Sequence, residues 1–143
     1  MKKIAFISCV KSKQPSGTWK AEELYTSDFF KKSLAYAKKN YDKIFILSAK
    51  YRVLSLDDMI KPYDLTLKTM SSKERLEWSK KVFSDLNLAV HRPVKTMEFY
   101  FLCGESYRKY LIPLLEGAGY KCHLPLEGVG GIGMQLQFFK NNT

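Results

Sequence analysis

The chain has 143 residues, 45% of them hydrophobic and 27% charged, which suits one globular domain burying roughly two thirds of its unfolded surface. No apolar run approaches the ~20 residues of a membrane span, so the sequence is not that of a membrane-embedded protein. The formal net charge of +10, from 24 Lys and Arg against 14 Asp and Glu, favours nucleic acid or a phosphorylated ligand as partner. The basic residues are scattered without an Arg-rich block, so solubility alone is the competing explanation.

Met1-Lys2-Lys3 followed by Ile4 to Ser8 has the basic start and apolar centre of a signal peptide, but the centre is short and Lys11 and Lys13 follow at once. The segment reads as a first strand, residues 3–10, of a cytoplasmic protein. Gln14-Pro15-Ser16-Gly17 is a loop. Ser27 caps a helix with Asp28 in its first turn and Phe30, Leu34 and Ala37 on one face. A second apolar run, 43–49, ends in Ser48 and leads through Lys50, Tyr51 and Arg52 into a polar-aromatic loop over 52–70. Ser71 and Glu74 have capping-box spacing, and Leu76, Phe83, Leu86 and Val90 continue as the longest helix.

A third strand occupies 96–103. Tyr107, Tyr110, Leu111, Leu114 and Leu115 mark a helix over 105–115 that Pro113 kinks or splits and Gly117 and Gly119 stop. The fourth strand is 119–124, and a last helix begins near Gly131 and runs through Met134, Leu136 and Phe138 to close over the core. This alternation predicts one α/β domain over 1–143, a mainly parallel sheet of about four strands flanked by helices on both faces in a Rossmann-like three-layer arrangement.

In such a sheet the carboxyl ends of the strands share the edge where ligands bind. That edge collects Ser8, Cys9, Lys11 and Lys13 after strand one, Ser48, Tyr51 and Arg52 after strand two, and Cys103 to Tyr107 after strand three. Strand four leads through Glu127 into the glycines at 128, 130, 131 and 133, which suit either a tight turn or close approach of backbone to phosphate. Cys9 is either a nucleophile activated by Lys11 or a helix end, or a buried inert thiol. Among Asp57, Asp58, Asp64, Glu105 and Glu127, the best placed as general base are Asp64 and Glu105. Asp64, after Pro-Tyr, equally suits a turn cap. Tyr25, Tyr51, Tyr63 and Tyr107 can stack on a base or plug the core. Trp19 and Trp78 read as packing residues. Cys9, Cys103 and Cys122 show no CxxC or Cys/His cluster, and His91 and His123 stand alone, so neither disulfides, a metal site nor a cofactor is expected.

Ser8-Cys9-Val10-Lys11-Ser12-Lys13, Leu24-Tyr25-Thr26-Ser27-x-Phe29, Leu47 to Leu54, Pro62-Tyr63-Asp64-Leu65-Thr66 and Gly131 to Leu136 together resemble a poorly characterised bacterial and phage domain family. That family is itself similar to the YaaA peroxide-stress, DNA-binding proteins, with which the Leu47 to Asp64 pattern is shared. The resemblance implies a pocket of Ser8, Cys9, Lys11, Lys13, Tyr25, Ser48, Tyr51, Pro62, Tyr63 and Gln135. The family pattern has Gly where this chain has Arg52, which either contacts a phosphate or narrows the pocket. The chain is short for the YaaA-type DNA-binding additions, so duplex binding is not implied. The expected function is action on a nucleobase, nucleotide or DNA base, with glycosidic-bond cleavage or base transfer as the chemistry and Asp64 or Glu105 polarising water. The alternatives are a non-catalytic binder of a phosphate-containing small molecule or single-stranded nucleic acid, and a basic interaction domain without a pocket.

Overall fold

The computed structural model describes residues 2–89 and 97–143. In chain order its elements are β1 (Lys2–Ser8), β2 (Trp19–Lys20), α1 (Ala21–Leu24), α2 (Asp28–Asn40), β3 (Lys43–Ser48), β4 (Arg52–Ser55) and β5 (Met59–Ile60). A 3-10 turn at Leu67–Thr69 leads to α3 (Ser72–Ala89), β6 (Met97–Leu102), α4 (Glu105–Arg108), α5 (Leu111–Gly117), β7 (Lys121–His123) and α6 (Ile132–Asn141). Val90 and His91, and Thr96 at the expected start of the third strand, lie outside the described residues.

The continuous apolar runs form the sheet because a strand covered on both faces has no solvent side to leave polar. Its order is β4-β3-β1-β6-β7, with β3, β1, β6 and β7 parallel and β4 antiparallel on the β3 edge. Phe6, at the centre of β1, is fully buried, and its ring lies 5.4 Å from Phe99, 5.0 Å from Phe101 and 6.2 Å from Phe45. Truncating such a side chain to Ala costs roughly 3–5 kcal/mol. The four expected strands are thus present. The stretch over 52–70, expected as loop, contains two more. β4 is there, and β5 pairs with β2 in a separate two-stranded ribbon through Trp19↔Ile60 and Lys20↔Met59.

Two helix groups flank the sheet: α2 packs with α6, and α3 packs with α4 and α5. Helix α2 starts where Ser27 Oγ accepts the Phe30 N–H at 3.1 Å. Before α3, Ser71 Oγ accepts the Glu74 N–H at 3.2 Å and Glu74 Oε1 accepts the Ser71 N–H at 3.1 Å, the reciprocal capping box. The buried stripe of α3 is Trp78, Val82 and Leu86. The helix expected over 105–115 is split into α4 and α5 upstream of Pro113, which has no N–H to give the Lys109 carbonyl. Helix α6 meets the core at its far end, where Phe138 and Phe139 pack on Tyr36 and Phe139 on Phe29. Met134, expected on the inner face, is 61% exposed, because α6 reaches α2 only in its last turns.

Candidate functional site at the carboxyl edge of the sheet

The chain passes from β1 to β3 on one side and then crosses to β6 on the other. Connections leave the ends of β1 and β6 in opposite directions, and such a reversal opens a crevice at the carboxyl edge. A cavity of about 280 Å³ lies there. Ser8 from β1, Cys103, Gly104, Glu105 and Arg108 from the β6–α4 junction, Glu127 from the loop after β7 and Gln135 from α6 supply its polar wall. Phe29, Phe101, Leu124 and Leu126 supply the apolar one.

Gln135 donates its amide N–H to the Gly130 carbonyl at 3.0 Å, which keeps the amide oxygen as an acceptor. The glycine run supplies the turn that makes this possible. Gly130 has φ +112, and a Cβ there would meet the Met134 side chain at 3.2 Å. Burial of the Cys103 thiol pushes its pKa up to about 12, with nearby Arg108 acting in the opposite sense, so it is a neutral group at the cavity wall.

Next to the cavity stands a cluster of hydroxyls. The segment 12–14 pairs with 24–26 through Gln14 N–H to Leu24 O and Thr26 N–H to Ser12 O, which brings Lys13 beside Tyr25. Tyr25 and Tyr63 share a hydrogen bond of 2.6 Å, and Ser48 donates to the Tyr63 oxygen at 2.8 Å. Ser48 Oγ in turn accepts the Tyr51 and Lys50 N–H groups at 3.0 and 3.3 Å, fixing the turn after β3. Lys13 Nζ lies 4.7 Å from the centre of the Tyr63 ring and 5.8 Å from that of Tyr25. Burial lowers the pKa of its ammonium, against opposing contributions from Cys9 and Asp64. Burial raises the phenols of Tyr25 and Tyr63 far above their ordinary range, so both stay protonated.

Cys9 joins this cluster to the cavity. It is 9% exposed, and its Sγ lies 3.0 Å from the Tyr107 hydroxyl, on the short helix whose flanking residues Glu105 and Arg108 line the cavity. The Tyr107 ring meets Trp78 edge to face at 5.7 Å, and Trp78 Nε1 donates to the Ser48 carbonyl at 3.1 Å. A residue read as packing alone thus ties the end of β3 to α3.

Of the residues expected at the site, Ser8, Glu105 and Gln135 line the cavity. Cys9, Lys13, Tyr25, Ser48 and Tyr63 form the adjoining cluster, with the Tyr51 ring against Tyr63 at 5.4 Å. Tyr25 is 1% exposed and Tyr107 7%, so both plug the core and offer no face for stacking. Pro62 is half-buried beside Tyr63, while Asp64 and Lys11 are exposed and outside the cavity wall; the Lys11 carbonyl accepts from Lys13 Nζ at 3.2 Å. Arg52 lies apart from the cavity: its φ is +65, and its guanidinium turns to Asp85 of α3 at 2.7 Å. The left-handed backbone is the physical reason a glycine suits that position. Arg108 was missed by sequence reasoning, although its place three residues after Glu105 puts both on one helical face.

Among the described residues there is no group of three or more His, Cys, Asp or Glu side chains arranged to hold a metal ion, and no helix long and apolar enough to cross a membrane.

Fold and site together define an α/β protein with a polar crevice at the point where its parallel sheet reverses direction. The chain belongs to DUF6884, a family of unknown function, whose model matches residues 4–141. It is similar to "Uncharacterized protein YfjM" of Bacillus subtilis (strain 168), with 34% identity over 149 aligned positions that cover 96% of this chain and 92% of that protein.

Proposed function

We propose that this protein holds a single nucleobase or nucleotide in the β1–β6 crevice and acts on it or on its glycosidic bond. The observation that carries the reading is a carboxylate, Glu105, in the wall of a small cavity that also offers a hydroxyl, an amide and a guanidinium. A cavity of about 280 Å³ is at the small end of ligand sites, the scale of one base with its sugar. Gln135 and Ser8 would read the polar edge of the base, and Phe29 would cover part of its apolar face. Arg108 would take the phosphate.

If the bond between sugar and base is broken by water, Glu105 accepts the water proton while the water oxygen joins the anomeric carbon and the base leaves with the bonding electrons. Asp64, exposed and outside the wall, is the weaker candidate for that role. The resemblance to YaaA-type proteins and the net positive charge support a nucleic-acid setting. The strand order, with β1 between its parallel partners β3 and β6, and the two groups of helices packed on the sheet support a Rossmann-like three-layer arrangement. A second reading, a non-catalytic binder of a phosphate-containing small molecule, draws its support from Arg108 in the cavity wall.

The test is thermal stabilisation by bases, nucleosides and nucleoside monophosphates, followed by assay of each stabilising compound for release of base. A ligand at a hundred times its Kd stabilises by about 2.7 kcal/mol. The binding is expected to weaken in Gln135→Ala and Arg108→Ala. Glu105→Gln is expected to bind and fail to turn over. Binding without turnover in the unaltered protein selects the second reading, and no stabilisation by any member of the panel rejects both.

A further inference from the structure

Helix α3 and the turn between β3 and β4 enclose a second concavity, about 560 Å³, floored by Trp78 and rimmed by Lys50, Arg52, Lys73 and Lys81. Lys73, Glu77 and Lys81 succeed one another at four-residue steps on one face of α3. The two carboxylates in this groove are engaged: Glu74 accepts the Ser71 N–H in the capping box, and Glu77 lies 3.6 Å from Lys80. Arg52 is paired with Asp85. Lys50, Lys73 and Lys81 are exposed and have no carboxylate partner among the described residues.

The groove and the cavity share one edge of the molecule. Trp78 of the groove floor bonds to Ser48 and packs on Tyr107, whose short helix carries Glu105 and Arg108 of the cavity wall. The ends of β3 and β6 flank β1 and so stand two strand spacings apart, about 10 Å. A single strand of several nucleotides has the length to run from a groove beside α3 to a cavity at the strand ends. A base still paired and stacked in a duplex cannot enter a cavity of this size without leaving the stack.

We propose that the Lys50–Lys73–Lys81 groove holds the phosphodiester backbone of a single-stranded nucleic acid, so that the cavity receives a base that belongs to a strand. The proposal rests on the base-binding reading of the cavity and names the substrate class for it. The groove contributes affinity without sequence preference, because its contacts are to phosphate.

The experiment follows fluorescence anisotropy of a labelled oligothymidine about 12 nucleotides long, a length suited to a single-strand site, over a range of salt concentrations. In parallel, thermal shift is measured with deoxynucleoside monophosphates. The variants are the triple Lys50→Ala/Lys73→Ala/Lys81→Ala and a control of equal charge, Lys31→Ala/Lys39→Ala/Lys121→Ala, all at exposed positions. The groove variant is expected to bind the oligonucleotide at least tenfold more weakly and to flatten the log–log salt slope by about 2, three contacts at ~0.7 each. Its monophosphate shift and the control's oligonucleotide binding are expected to be unchanged. An equal loss in the control, unaltered binding in the groove variant, or equal affinity of the unaltered protein for a duplex overturns the groove proposal. Binding of monophosphates without oligonucleotide also overturns it and leaves the cavity reading standing. Groove-dependent oligonucleotide binding with no monophosphate shift overturns the cavity reading and with it the delivery of a base.

Discussion

Replacing Tyr63 with Phe removes one oxygen from the middle of a three-hydroxyl chain and leaves the ring in place. Tyr25, only 1% exposed, then loses its 2.6 Å partner, and the buried Ser48 loses the acceptor of its O–H while keeping the two backbone N–H groups that it accepts. A buried hydroxyl left with no partner, as Tyr25 is, costs about 1–3 kcal/mol, and Ser48 keeps part of its bonding. The expected loss is therefore about 2 kcal/mol, a fall in Tm of about 6–8 °C for a chain of this size. Tyr25→Phe is expected to cost less, about 1 kcal/mol, because Tyr63 still accepts from Ser48. The double variant removes both polar atoms, so its cost is expected to fall short of the sum by about 1 kcal/mol. Urea unfolding with an unchanged m value measures all three. A Tyr63→Phe cost below about 0.5 kcal/mol, or singles that add to the double within that margin, would refute the claim that the hydroxyl chain is a coupled structural unit.

Arg52→Gly is expected to leave the protein about 1 kcal/mol more stable than Arg52→Ala, the reverse of the usual order, since both lose the Asp85 pairing and only Gly is at ease at φ +65; chemical denaturation compares them directly. Trp78→Phe deprives the Ser48 carbonyl of its buried donor and should cost about 1–3 kcal/mol, read by the same melts. Cys103 and Cys122 titrate near 12 when folded, because burial disfavours their thiolates, against an ordinary thiol value of 9.0. The stability they confer is fully present below pH 9 and is lost as pH rises from 9 towards 12, because the unfolded chain releases those protons first. Melting temperatures across that window should fall less steeply in Cys103→Ala/Cys122→Ala than in the unaltered protein.

The parallel strands β1, β3 and β6 were legible as mostly apolar runs, and α2 and α3 because Ser27, Ser71 and Glu74 announce their starts. β4 was not legible: of its four residues only Leu54 is buried, too few to set a period. The β2–β5 ribbon was also hidden, since two-residue strands depend on partners some forty positions away, with Ala21 N–H reaching Asp58 O at 2.7 Å. At the site, the convergence of Ser8, Glu105 and Gln135 follows from parallel topology and was foreseeable. The departure of Arg52 was not, because a left-handed φ at a non-glycine residue leaves no mark in composition. The split of α4 from α5 followed from Pro113, yet its position depended on the carbonyl four residues earlier.

The two outer strands of the sheet, β4 with four residues and β7 with three, are much shorter than the six- and seven-residue strands between them. A three-residue edge exposes only about 10 Å of unpaired backbone, less than the six- or seven-residue segments that nucleate cross-β stacking. Arg52 opens one edge, Lys121 and His123 occupy the other, and Pro125, two residues beyond the strand, has no N–H to extend the ladder. The most apolar strands of this chain are thus shielded from a second molecule by their own short neighbours, a protection against fibril growth that lengthening either edge would remove.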